Sequence, residues 1–363
     1  MKRVKIIGAG SIGNHLSHAA RTLGWHVDLF DLDPEALERT RTSIYPERYG
    51  EWDDGIALHV AEDAPIGGHD AIFIGTPPDS HLALAMSAIA EGPSLVHLEK
   101  PVCPPDLLGA DALVASAREN DVMMTVGYDL VLGAAFLRME ALIEELPLGP
   151  IQTIDVETRE HWGGIFAAHP WLDGPKDSYL GFWERGGGSA GEHSHGLNMW
   201  QHLAHLVGAG KVSKVSAAAD YVEEGGLSYD KLMAANLQTE SGLVGRCIQD
   251  VVTRPARKWA RVQGEDGFVE WEYGGAPGKH VVRYGVEGQN VQQEEIEARR
   301  PEDFIAEVCH LEGLLNGEID GSPIDISRGL DTMLVISAAH RSAQSGQSVQ
   351  IDYAVGYGLE ALR

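Results

Sequence analysis

Along the first third of the chain, short apolar runs alternate with longer stretches whose apolar positions recur every three or four residues. RVKII (3–7), HVDLF (26–30), IALHV (56–60), AIFIG (71–75), SLVHLE (94–99) and VMMTV (122–126) read as strands. Helical patterns fill most of the gaps between them, among them one from Ile12 to Leu23 that Gly24 stops. Such alternation predicts β-α-β units on a parallel sheet. Beyond Gly149 the pattern changes: IQTIDVETRE, KVSKVSAAADYV, KLMAANLQTE, GLVGRCIQDVV, RKWARVQGE, GFVEWEY and HVVRYG follow one another with turn signals between several of them. This succession predicts a largely antiparallel sheet. Helical spacing returns from Pro301 to Gly346. The expectation is an α/β protein of two domains, residues 1–127 with the parallel sheet and residues 128–363 with an open, mostly antiparallel one. The C-terminal helix is able to pack back on the first domain.

Composition narrows the class. Apolar residues form 44% of the chain and charged residues 23%, the balance of a folded enzyme or binding protein. No apolar run approaches the roughly eighteen residues of a membrane span, and the apolar start of the chain is too short and too glycine-broken for a signal peptide. Three widely spaced cysteines build neither a disulfide framework nor a CxxC metal pair, which points to a reducing cytoplasm. With 54 acidic against 28 basic residues, the formal charge of -26 makes nucleic acid and anionic lipid poor partners.

Gly8-Ala9-Gly10-Ser11-Ile12-Gly13 directly follows the first strand and opens a helix, and Asp31 closes the next strand. Strand, glycine loop, helix and acidic residue in this order form a dinucleotide-binding signature. Gly8 permits the turn, Gly10 lets the backbone approach a pyrophosphate and Gly13 allows close helix packing. The first helical amides, at Ser11 and Ile12, would then receive the phosphates. Asp31 accepts from ribose hydroxyls and repels a 2'-phosphate, while Leu32 and Asp33 offer no arginine to receive one, so NAD is expected over NADP.

Two more loops leave strand ends on the same side of the sheet: GTPPDSH (75–81), with Thr76, Pro77 and His81, and LEKPV (98–102). Lys100 is a candidate for donating to a substrate oxygen and stabilising charge that develops there. Glu99 is expected to orient Lys100 or bind cofactor, the plainer alternative being a helix-capping carboxylate.

At these motifs the chain resembles the glucose-fructose oxidoreductase, inositol dehydrogenase and rhizopine catabolism family of NAD(P)-dependent oxidoreductases. GAGSIG, GTPPDSH, EKPV and a GGG run before a histidine helix follow the family's order, and the tail SAAHRSAQSGQSVQI is similar to its closing helix and strand. The resemblance implies an N-terminal Rossmann domain and a second domain with an open mixed sheet. It also implies a homodimer or homotetramer, and oxidation or reduction at a secondary hydroxyl of a sugar, sugar derivative or cyclitol. A glycoside hydrolase with retained NAD, working by transient oxidation and elimination, is the alternative.

Residues 186–202 read GGGSAGEHSHGLNMWQH. Aligned on the family's pattern, His195 is the catalytic histidine and Asn198 the polar residue three beyond. The family's aspartate four residues before the histidine is Gly191 here, and Glu192 stands in its vicinity. His195 suits proton acceptance from a hydroxyl losing hydride. His195, His202 and His205 do not reproduce the spacing of a zinc helix, so no metal is expected there. Upstream, Trp162, Trp171, Tyr179 and Arg185 are candidates for holding a sugar, with core covering as the alternative for each. Tyr128 completes the expected substrate set, and Arg159 or Arg185 could pair with a substrate carboxylate.

Overall fold

The computed structural model describes residues 1–60, 64–167, 172–299 and 301–363. Contacts divide it into two units, Met1–Val102 with Gly109–Asp129 and Arg300–Ile326, and Cys103–Leu108 with Leu130–Arg299 and Ser327–Arg363.

The first unit carries six parallel strands: β1 Arg3–Ile7, β2 His26–Asp31, β3 Ile56–Val60, β4 Ala71–Ile74, β5 Leu95–Leu98 and β6 Met123–Val126. Their spatial order is β3-β2-β1-β4-β5-β6, so the direction of winding reverses between β1 and β4. Both faces are covered, which explains why the strands read as continuous apolar runs: Val4, Ile6, Ile72, Phe73 and Ile74 are all fully buried. The helix Glu302–Leu315 returns to this unit. His15 stacks on its Phe304, the indole of Trp25 donates to Glu312 Oε1 at 2.8 Å, and Val126 N donates to Ile324 O just beyond it.

The second unit holds nine strands: β7 Ile151–Arg159, β8 Val212–Val222, β9 Tyr229–Thr239, β10 Val244–Asp250, β11 Arg257–Gly264, β12 Gly267–Ala276, β13 Lys279–Val286, β14 Gln292–Glu297 and β15 Val349–Gln350. The order is β14-β13-β12-β11-β7-β10-β9-β8-β15, antiparallel throughout except for the pair β7–β10. Period-2 alternation buries Ile154 and Val156 on one face, where the helix His195–Leu206 lies and Trp200 donates its indole N–H to Ile154 O. Cross-strand ion pairs stud the sheet, including Arg246–Asp155, Arg257–Glu157 and Arg283–Glu272. β14 lacks any apolar alternation in sequence. It is held through Arg138, which grips both oxygens of Glu294 at 2.9 Å, and through Lys279–Glu295.

Among the described residues, no helix is long and apolar enough to cross a membrane. Cys103, Cys247 and Cys309 are free thiols.

Candidate active site

The glycine loop at the end of β1 is shaped by backbone packing. Gly8 sits at φ +105°, and a Cβ there would lie 2.8 Å from Gly75 O. A Cβ on Gly13 would lie 1.9 Å from Gly8 O, so the helix Ser11–Thr22 seats directly on the loop. Gly10 differs: a Cβ built there meets nothing within 4 Å, which leaves open space over the backbone where a pyrophosphate would have to approach. Neither a side-chain cap nor an acidic residue occupies the first turn of this helix, so its positive end is not neutralised locally.

Asp31, at the end of β2, accepts from Ala9 N at 2.7 Å and from Asp33 N at 2.9 Å. Each carboxylate oxygen therefore keeps a lone pair for another donor. Two residues that sequence reading missed complete the loop: Asn14 donates to Gly10 O at 2.9 Å, and Thr40 donates to Ala9 O at 2.8 Å. Their signal was weak, since Asn and Thr in helical segments have no distinguishing spacing.

The next two loops are tied together. His81 is fully buried, with one ring nitrogen 2.7 Å from Thr76 O and the other 3.0 Å from Pro101 O. Burial pulls its pKa below that of a free imidazole. Thr76 Oγ1 pairs with Ser80 Oγ at 2.7 Å, at the start of the helix Pro78–Ala90 that Pro77 introduces. Glu99 is 6% exposed, accepts from Lys100 N at 3.2 Å and lies against Gly127, where a Cβ would come 2.9 Å from its Oε1. Lys100 is half-buried and Tyr128 fully buried in the same unit.

In the second unit the run Gly186-Gly187-Gly188 is a packing requirement. A Cβ on Gly187 would meet Tyr179 O at 2.1 Å, and one on Gly188, at φ +72°, would meet Asp230 Oδ1 at 1.9 Å. Asp230, buried on β9, accepts from Ser189 Oγ at 2.6 Å and Ala190 N at 2.8 Å and so fastens the short helix Gly188–Glu192. This residue was invisible in sequence. Past the turn, Gln249 donates to His193 O, and His193 Nε2 faces Glu160 O at 3.3 Å. The helix beginning at His195 lies close on β7, since a Cβ on Gly196 would sit 2.5 Å from Thr158 Oγ1. His195 and Glu192 are half-buried. Asn198 is 3% exposed, with its amide 3.4 Å from Thr332 Oγ1. His202 pairs with Glu140 at 2.8 Å, and burial lowers His205 to about 4.

Burial pushes the Asp230 carboxyl up to about 7. The unfolded chain releases this proton near 3.9. The stabilisation is therefore complete below about pH 4 and is lost as pH rises through about 7, at roughly 1.4 kcal/mol per pH unit within that window. Denaturant unfolding of wild type and Asp230→Asn between pH 4.5 and 8 is expected to show this slope only in the wild type. Parallel curves for the two proteins would contradict it.

The aromatic segment divides. Trp162 packs with Leu180 and Val251, stacks on Phe166 at 5.6 Å and meets Tyr229 edge-on at 5.2 Å. Tyr179 packs against the same cluster. Trp171 lies outside the described residues. Arg185 is exposed, over the Phe182 ring at 5.8 Å, and lines a cavity of about 740 Å³ with Trp183, His340 and Arg341. Arg159 is engaged by the chain's own carboxylates, Asp250 at 2.5 Å and Glu157 at 3.6 Å.

Residues 2–128 match the model of the GFO_IDH_MocA family, described as an oxidoreductase family with an NAD-binding Rossmann fold. No curated protein matches the chain. Among solved structures, levoglucosan dehydrogenase in complex with NADH is similar at 17% identity, over 96% of this chain and 98% of that one, with a TM-score of 0.76. An oxidoreductase from Agrobacterium radiobacter in complex with NAD+, L-tartaric acid and magnesium is 18% identical over 96% and 98%, with a TM-score of 0.75. Aldose-aldose oxidoreductase from Caulobacter crescentus complexed with glycerol is 22% identical over 96% and 99%, with a TM-score of 0.74.

Proposed function

We propose, from the match of residues 2–128 to the GFO_IDH_MocA family of NAD-binding oxidoreductases, that the chain oxidises or reduces a secondary hydroxyl of a sugar, sugar derivative or cyclitol. The observation that carries this reading is the glycine loop: open space above Gly10, Gly8 and Gly13 packed on backbone, and Asp31 reaching back to Ala9 N. These residues fit NAD, which when bound supplies the hydride acceptor or donor. The amides of Ser11 and Ile12 hold phosphate, and the remaining lone pairs of Asp31 hold ribose hydroxyls. Thr76, Pro77 and Glu99 line the cofactor crevice, with His81 acting through the two loops it joins.

Lys100 donates to the substrate oxygen and stabilises charge on it, while His195 accepts the hydroxyl proton, with Glu192 near it in sequence. Tyr128, Trp162, Trp171, Tyr179, Arg185 and Asn198 remain the proposed substrate set. The burial of Tyr128, Trp162 and Asn198 suits support of the site better than direct contact. Solved structures similar in fold are dehydrogenases and oxidoreductases, including levoglucosan dehydrogenase with NADH and L-sorbose, which supports net oxidation or reduction of a sugar-type substrate over the glycoside hydrolase alternative. Assembly into a homodimer or homotetramer through the open sheet is part of the proposal, and light scattering on the purified protein tests it.

The direct test is absorbance at 340 nm with NAD across sugars, sugar acids, inositols and glycosides, with released aglycone measured in parallel. NADH formation with one class is expected. Aglycone release without net NADH overturns the dehydrogenase reading. Asp31 gives a second test: the wild type is expected to use NADP poorly, and Asp31→Ser to raise the NADP-to-NAD ratio of kcat/KM by about 10-fold or more. Wild-type kinetics with equal use of both cofactors would remove the role assigned to Asp31.

A further inference from the structure

His97, Glu99 and Glu307 bring one ring nitrogen and two carboxylates within 4.8 Å of one another inside the first unit. His97 lies on β5, Glu99 just past its end and Glu307 on the returning helix Glu302–Leu315. Their exposures are 0%, 6% and 0%. His97 Nδ1 stands 2.9 Å from Thr125 Oγ1 on β6, and its Nε2 faces Glu307 Oε1 at 3.5 Å. Among the described residues, neither that Nε2 nor either oxygen of Glu307 has a hydrogen-bond partner. A buried carboxylate without donors is unstable by several kcal/mol unless a positive charge meets it. Burial and the neighbouring carboxylates of Asp129, Glu99 and Asp303 hold the Glu307 carboxyl well above the usual range.

The missing charge is a proton or a metal ion, and the separation argues against a proton shared by Glu307 and His97. A proton shared by Glu307 and His97 would draw the two atoms to about 2.7–2.9 Å. Two atoms each about 2.0–2.1 Å from one tetrahedral ion stand roughly 3.3–3.4 Å apart, close to the distance observed. The ring is also oriented as metal-bound imidazoles are, its other nitrogen held by a neighbouring polar group. We propose that His97, Glu99 and Glu307 form a binding site for a divalent ion of the zinc type. The two carboxylates neutralise its charge, and the ion ties the end of β5, next to Lys100, to the returning helix. This site is separate from the histidine stretch 193–205, where no metal was expected.

The test uses the full chain, stripped with a chelator, desalted and titrated with Zn2+ against a chromophoric indicator, with metal content measured after gel filtration. One ion per chain and a raised melting temperature are expected. Glu307→Gln keeps the shape and removes the charge, and it should weaken zinc binding by about 100-fold; His97→Gln is the second variant should the first not fold. Cys309→Ser removes the exposed thiol two residues along and should leave the affinity unchanged. If the wild type carries no zinc after gel filtration, if zinc binds the wild type no tighter than a folded variant, or if Cys309→Ser abolishes binding, the cluster holds only a proton and the proposal is overturned.

Discussion

Lys100→Met is expected to lower turnover with NAD and the substrate by about 10³-fold, with NAD affinity and melting temperature close to wild type. Hydride leaves a carbinol carbon only as its oxygen becomes a carbonyl, so negative charge on that oxygen must be relieved as the C–H bond breaks. An ammonium poised there acts on the transition state more than on the bound alcohol, which places the loss in kcat rather than in KM. Methionine retains the unbranched stem, and Lys100 is only half-buried, so packing changes little. Lys100→Arg keeps a positive charge but spreads it over a plane, and it is expected to recover little of the rate. Steady-state kinetics with a parallel fluorescence titration of NADH measures both quantities. Wild-type turnover in Lys100→Met would remove the lysine from the mechanism.

The second large effect is steric. Gly13→Ala puts a methyl 1.9 Å from Gly8 O and 3.1 Å from Gly8 C, both backbone atoms of the loop itself. No side chain can swing aside to relieve it, so the helix or the loop must move. Overpacking of this kind costs about 1–3 kcal/mol, enough to lower the melting temperature by several degrees. The amides proposed to receive phosphate move with the helix, and NAD affinity is expected to fall by about 100-fold. Gly10→Ala provides the contrast: nothing lies within 4 Å of its Cβ, and its φ of -76° suits any residue. That variant should melt with the wild type and still bind NAD poorly, because its methyl enters the space left for the pyrophosphate. Calorimetric melts and NAD titration of the two variants separate these mechanisms. Unchanged melting in Gly13→Ala would contradict the packing argument, and unchanged NAD affinity in Gly10→Ala would contradict the placement of the phosphate.

Much of the fold was written locally. The six parallel strands and seven of the nine in the second sheet were legible because burial on one or both faces imposes a period on adjacent residues. The glycine loop was legible for the same reason, since turn, close approach and helix start fall within six positions of one another. β14 escaped, because it has little apolar burial of its own and is an edge strand held by charges on Arg138 and Lys279. β15, only two residues long, was legible through the resemblance of the chain's tail and not through any period.

Tertiary structure decided how residues distant in the chain are used. Arg159 looked available for a substrate carboxylate until β10 brought Asp250 against it. Trp162 was equally a sugar platform or a core residue in sequence, and it joined a cluster with Val251 and Tyr229. Asp230, which fastens the helix before His195, and Glu307, which returns to face His97, carry no local signal at all. The physical reason is common to these cases. Periodicity and turn chemistry depend on neighbours in sequence and can be read from it, whereas the partner of a buried charge is set by which strands and helices the fold places side by side.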